Sequence, residues 1–314
     1  MNALVWRLHH RQVWFALGAL GVLGVLLVIT GMVMADDYHR FMADCATLQN
    51  CGDASSTLFR GDGAIIDVVG ATLVVPLLFG LFWGAPMVAK EFEDGTQNLV
   101  WTQGVTRRHW LGTNVGWVFA AAAVWAGSMS LLVSWWRTPE NALDTRFGAF
   151  DIQGLVPIAY ALFAVALGIA VGSVIRRMLP AIAVTLAAFV AVRAVIAFYL
   201  RPHYMAAVVK VMALGGAKSP GGAWVLSAGL VGPNGHFYSG GIDIQDMPAA
   251  CQVAFPGGKG SVLSCMVAHG FHQSVTYQPA SRFWAFQGIE AGIFLVLAGA
   301  LVALAYRMVL RRDA

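Results

Sequence analysis

Residues 88–110 read VAKEFEDGTQNLVWTQGVTRRHW. They separate two apolar runs, near 65–88 and 111–136, each long enough to cross a bilayer. Into this connection the chain places Lys90, Glu91, Glu93, Asp94, Arg107 and Arg108, with breaks at Gly95 and Gly104. Elsewhere it is sparing with charge. Of 314 residues, 11% are charged and 58% hydrophobic, and the mean hydropathy is +0.68. A soluble chain carries about 25% charged residues, so this composition is that of an integral membrane protein. The net charge of +4 does not imply a nucleic-acid partner. The basic residues sit at the ends of apolar runs and form no patch or stripe.

Working outward, apolar runs near 13–35, 65–88, 111–136, 154–175, 179–200 and 283–306 predict six transmembrane helices in an all-α polytopic fold. Arg7, Arg11, Lys90, Arg107, Arg108, Arg176, Arg177, Arg307, Arg311 and Arg312 fall on one side in short connections. The positive-inside rule then puts both termini in the cytoplasm. The first run is too long for a cleaved secretory signal, although VMAD at 33–36 loosely resembles a cleavage site. Cys45 and Cys51 fall in the first outer loop and Cys251 and Cys265 in the last. Four cysteines confined to the oxidising side predict two disulfides; of three connectivities, the local pairs Cys45–Cys51 and Cys251–Cys265 are favoured.

The whole chain, 1–314, is expected to form a single transmembrane domain with unequal outer loops. Residues 1–12 alternate Trp6 and Leu8 with Arg7, His9, His10 and Arg11. They predict an interfacial helix, with a frayed basic tail as the alternative. The loop at 201–281 is rich in Gly, Pro, Asn and Ser, and predicts a small outer cap of turns and short helices held by a disulfide.

Within 89–110, the second span can continue out of the bilayer as a helix exposing Lys90, Glu91, Glu93 and Asp94. Gly95 is a natural helix stop, and Thr96 can cap a short helix that Gly104 ends. Thr106 can cap the next segment, which begins at Arg107. A plain connector needs only a few residues. This one offers Leu99, Val100 and Trp101 for burial, either on lipid or in a soluble partner. Charged groups on both sides of the apolar turn favour the partner.

The segment resembles the first cytoplasmic loop of ABC-2 type transporter permeases, R/K-E-x-E-x-G-T-x-x-x-L followed by a spacer and S/T-R. Here the pattern is carried by Lys90, Glu91, Glu93, Gly95, Thr96 and Val100, then Thr106 and Arg107. Gly104 replaces a common Pro, and Asn114 a common basic residue. The layout of spans, RPHY at 201–204 and YQPASRFWAFQGIEAGIF at 277–294 extend the resemblance over nearly the whole chain. It implies a non-catalytic translocase subunit in a bacterial inner membrane. Residues 90–107 would dock into an ABC ATP-binding subunit, present in two copies and carrying ATP and Mg²⁺. A second permease chain, identical or homologous, is also implied. The expected cargo is an amphiphile such as a drug, antibiotic, peptide or lipid, exported by alternating access. The alternatives are an ATPase-coupled signalling or resistance protein without transport, and a membrane metalloprotein organised by the outer loop.

Other motifs carry less. LGGAKSP at 214–220 and GGKG at 257–260 lack the residues of a phosphate loop, so no ATP site is expected in this chain. Cys265, His269 and His272, with His236 or Cys251, have permissive metal-ligand spacing, but a disulfide competes for Cys265 and no metal is expected. Arg193 and Glu290 each lie about seven residues inside the outer end of a span, roughly 10 Å deep. Charges there are costly unless paired; an Arg193–Glu290 ion pair is expected, with snorkelling or a direct substrate or proton role as alternatives. Gly80 and Gly84, and Gly168 and Gly172, permit close helix approach, within one chain rather than across a dimer. Phe79, Phe82, Trp83 and Trp117 are candidates for lining a substrate pathway, or else face lipid or core.

Overall fold

The computed structural model describes residues 2–47, 70, 74–93, 107–143, 146–214, 222–253 and 259–311. Its helices are α1 (Asn2–Thr47), α2 (75–93), α3 (Arg107–Trp136), α4 (Thr138–Leu143), α5 (Val156–Ile175), α6 (Met178–Val195), α7 (Ala249–Val253), α8 (Lys259–Ala268) and α9 (Phe283–Arg311). The strands are β1 (Val208–Ala213), β2 (Trp224–Val231), β3 (Phe237–Ser239) and β4 (His272–Gln278). They fall into two compact units.

The first unit comprises Met1–Glu140, Ala149–Phe198 and Ala285–Ala314. Among the described residues, five stretches are helical, long and apolar enough to cross a membrane: Leu20–Ala43, Gly112–Trp136, Val156–Ile175, Met178–His203 and Ala280–Val309. The expected span at 65–88 is represented by a shorter apolar helix, Val75–Lys90. Most of 65–73 lies outside the described residues. Residues 2–12 and the first span form one unbroken helix, which runs on to Thr47 where a loop from 36 was expected. At 1.5 Å per residue its 46 residues extend about 69 Å, well beyond a bilayer core of about 30 Å. No proline interrupts it, and Arg40 Nη2 pairs with Asp36 one turn back at 3.2 Å.

Helix α5 is the centre of the unit. Pro157 in its first turn suits a helix start, where no intrahelical N–H partner is needed. Fifteen of its residues are buried, and α2, α3 and α6 all pack on it. Arg176 ends it in the left-handed region (φ 57°), and its N–H bonds to Gly172 O at 3.0 Å. Helix α1 is tied to α3 by Trp136 Nε1 donating to Thr30 Oγ1 at 3.1 Å.

The second unit comprises Asn141–Gly148 and Tyr199–Trp284. Here the all-α expectation is corrected. The loop at 201–281 holds a four-stranded antiparallel sheet in the order β1-β4-β2-β3, together with α7 and α8. Central strand β4, HQSVTYQ, pairs Val275 with Lys210 on one side and Ala228 on the other. Its Val275 is fully buried. A second apolar cluster, Cys251, Met266 and Phe271 with Leu230 and Tyr238, forms the small core. Glycine-rich breaks dominate this stretch of sequence, and strands of three to eight residues leave only a weak alternation between them.

Candidate functional site

The charged end of α2 carries the first group of expected residues. Lys90 and Glu93 are exposed. Glu93 Oε2 accepts a hydrogen bond from Met178 N, the first residue of α6, at 2.8 Å. One otherwise unpartnered N–H of that helix start is thereby satisfied by a carboxylate, the sign that a helix N-terminus favours. Glu91 in α2 and Arg107 at the start of α3 lie in helices, with side chains outside the described set. Asp94, Gly95, Thr96, Leu99, Val100, Trp101 and Thr106 lie outside the described residues.

The glycine pairs of α2 and α5 face each other. A Cβ at Gly80 would lie 2.5 Å from Ala164 O, and one at Gly84 2.7 Å from Val165 O. From the other helix, a Cβ at Gly172 would meet Ala85 O at 2.7 Å, and one at Gly168 would strike Gly80 O. The two backbones therefore touch within one chain. Between Phe79 and Ala85 the helix widens into a π-turn, Gly80–Gly84, a rare irregularity that is enriched at functional positions.

Near the start of α5 a polar cluster is built from three membrane helices and a loop. Arg193 Nη2 of α6 lies 3.1 Å from Asp151 Oδ1. Its guanidinium carbon stands 4.0 Å from the centroid of the Tyr160 ring on α5. The Tyr160 hydroxyl is 2.8 Å from Asp151 Oδ1 and also bonds Glu290 Oε1 of α9. Arg193 and Glu290 therefore belong to one network, connected by Asp151 and Tyr160, which the sequence reading did not single out. Glu290 is 1% exposed and Tyr160 is fully buried.

One turn before Glu290, the fully buried Gln287 secures the same region. Its Oε1 accepts from Leu155 N and Val156 N, each at 2.9 Å, and its Nε2 donates to Phe150 O at 2.8 Å. A side chain of α9 thus caps α5. Gly154, at φ 81°, is needed here, since a Cβ would lie 2.8 Å from Gln287 Oε1. Ser130 Oγ donates to Gly154 O at 2.6 Å. The signal that could have found Gln287 is its i,i+3 spacing from Glu290, which puts two polar groups on one face of an apolar helix.

The aromatic candidates divide. Phe79 is buried, edge-on to Trp83 at 4.7 Å and to Trp125 at 5.5 Å. Phe82 and Trp117 point outward, 59% and 45% exposed. Phe79, Trp125, Met129, Ser130 and Asp151 line a cavity of ≈ 20 Å³, room for about one water.

In the second unit, RPHY meets the YQPASR stretch where Gln278 Nε2 donates to Pro202 O at 3.4 Å, and the residues just after RPHY are held as well. Gln278 Nε2 donates to Met205 O at 2.8 Å, while Arg282 Nη1 donates to Ala206 O at 2.6 Å and Gln278 Oε1 at 2.7 Å. Cys251 and Cys265 are joined, with sulfurs 2.03 Å apart. Cys45 lies in α1 with its side chain outside the described set, and Cys51 lies outside the described residues. His269 Nδ1 stands 3.7 Å and 3.6 Å from the two bonded sulfurs and 2.9 Å from Cys265 O. Among the described residues these three are the group closest to a metal-ligand arrangement, but both sulfurs are spent in the bond.

A protein-family model described as ABC-2 membrane transporter related matches residues 17–201, more than half of the chain. No curated protein and no solved structure matches. The chain belongs to the ABC-2 membrane transporter related family, and with its apolar helices it is a multi-pass membrane component of a transporter.

Proposed function

We propose that this family member is the translocating subunit of an ATP-driven exporter, moving an amphiphilic compound outward by alternating access. ABC-2 membership implies partnership with a separate ABC ATP-binding subunit. In this reading, two such subunits carry ATP and Mg²⁺, and two permease chains enclose the pathway. Both termini face the cytoplasm of a bacterial cell, and residues 90–107 dock into the ATP-binding subunit.

The observation that supports the reading best is the mechanical continuity of α2, α5 and α6. The charged end of α2, as far as Glu93, is the first part of the expected docking segment. Its glycines lie against the backbone of α5, and Glu93 caps α6. A push on 90–107 therefore moves two membrane helices together, which is what coupling to a separate motor requires.

The test uses the chain co-expressed with its genomic neighbours, reconstituted in vesicles with a fluorescent amphiphile. ATP-dependent dye movement is expected. Glu91→Ala and Gly95→Val should abolish that movement while leaving the membrane unit folded and the partner's ATP hydrolysis measurable. Hydrolysis with no dye movement by the unsubstituted protein would favour a signalling or resistance role without transport.

A further inference from the structure

In the second unit a hydrogen-bond donor stands beside a bond that thiols can open. His269 closes the end of α8: its backbone N–H donates to Cys265 O at 3.0 Å, and its Nδ1 lies 2.9 Å from the same oxygen. A carbonyl can only accept, so Nδ1 carries the hydrogen. That Nδ1 is also 3.6 Å from Cys265 Sγ and 3.7 Å from Cys251 Sγ.

The two sulfurs differ in access. Cys251 is fully buried in the cluster with Met266 and Phe271, whereas Cys265 is half-buried and His269 exposed. An incoming thiolate therefore meets Cys265 first. We propose that Cys251–Cys265 is a site of thiol–disulfide exchange with an external dithiol, in which the His269 Nδ1–H stabilises the departing Cys251 thiolate. One thiolate of the dithiol attacks Cys265 Sγ and forms a mixed disulfide. The Cys251–Cys265 bond breaks, and its electron pair leaves on Cys251 Sγ. The second sulfur of the dithiol then attacks the first and frees Cys265. The dithiol is oxidised to a disulfide by loss of two electrons, and its two protons pass to the two cysteines.

A thiol leaves faster the better its anion is stabilised. A hydrogen bond to a charged acceptor is roughly twice as strong as one to a neutral acceptor, so the His269 donor gains strength as the bond breaks. Cys251 lies in α7 and Cys265 in α8. Exchange thus removes the covalent tie between two helices that line the small core. The site does not depend on what the protein transports.

Reduction of the full chain in lipid nanodiscs by dithiothreitol, quenched by alkylation and followed by mass spectrometry, tests this. The bond is expected to open while the β4 amides stay protected from hydrogen exchange; opening only with loss of that protection overturns the proposal. With glutathione in place of the dithiol, the mixed disulfide is expected on Cys265, and an adduct on Cys251 overturns the order of attack. His269→Phe should slow reduction about tenfold. A merely loosened cap would speed it, so an unchanged or faster rate overturns the role of His269. Should that variant fail to fold, His269→Ala serves, with the same two outcomes.

Discussion

Arg193 shows why single residues govern this fold. A guanidinium within an apolar helix is expensive unless neutralised, and here it meets Asp151 with both side chains mostly covered, 16% and 27% exposed. Arg193→Ala removes a cationic partner from the aspartate and should destabilise the membrane unit by about 3 kcal/mol. Adding Asp151→Asn should recover part of that loss, read as a non-additive double-mutant cycle in thermal unfolding. Gln287→Ala leaves two amide hydrogens and a carbonyl without their side-chain partner. It should cost at least ~2 kcal/mol by the same assay, with faster hydrogen exchange at Leu155 and Val156. The sequence exposed Arg193 and Glu290 because charge inside an apolar run stands out. It hid Asp151, which precedes the run, and Tyr160, whose ring reads as apolar until its hydroxyl is placed.

Elements were legible to the degree that hydropathy dictates them. Five of the six expected spans appear as long apolar helices because their length is set by bilayer thickness. Where polar residues enter, the reading failed: α1 continues through the Asp-rich residues after 36, since nothing there forbids a helix. The sheet escaped because its strands are short and set between glycine-rich turns. The glycine seam was visible as spacing, but the identity of its partner helix was not. Gly80→Ala and Gly84→Ala should force α2 from α5 and cost about 1–3 kcal/mol. Gly116→Ala and Gly292→Ala meet no neighbour within 4 Å and should be neutral or slightly stabilising. Glu93→Ala should raise hydrogen exchange at Met178, whereas Glu93→Gln, which keeps an acceptor oxygen, should not.

For the whole molecule, two units with different chemistry share one chain. The helical unit holds most of the family match, the glycine seam and the polar cluster. The second unit is a small sheet closed by the Cys251–Cys265 bond and by the grip of Gln278 and Arg282 on 205–206. Alkylation of the unreduced protein should leave Cys251 and Cys265 unlabelled, and prior reduction should make both reactive. Residues 90–107 carry more charge than a connector needs and begin in a helix that packs on α5 and is hydrogen-bonded to α6. A docking partner accounts for both. Native mass spectrometry of the gently solubilised complex, expressed with its genomic neighbours, measures this directly. A particle of two permease chains and two ATP-binding subunits is expected. A particle containing this chain alone, under conditions that preserve other membrane complexes, would contradict it.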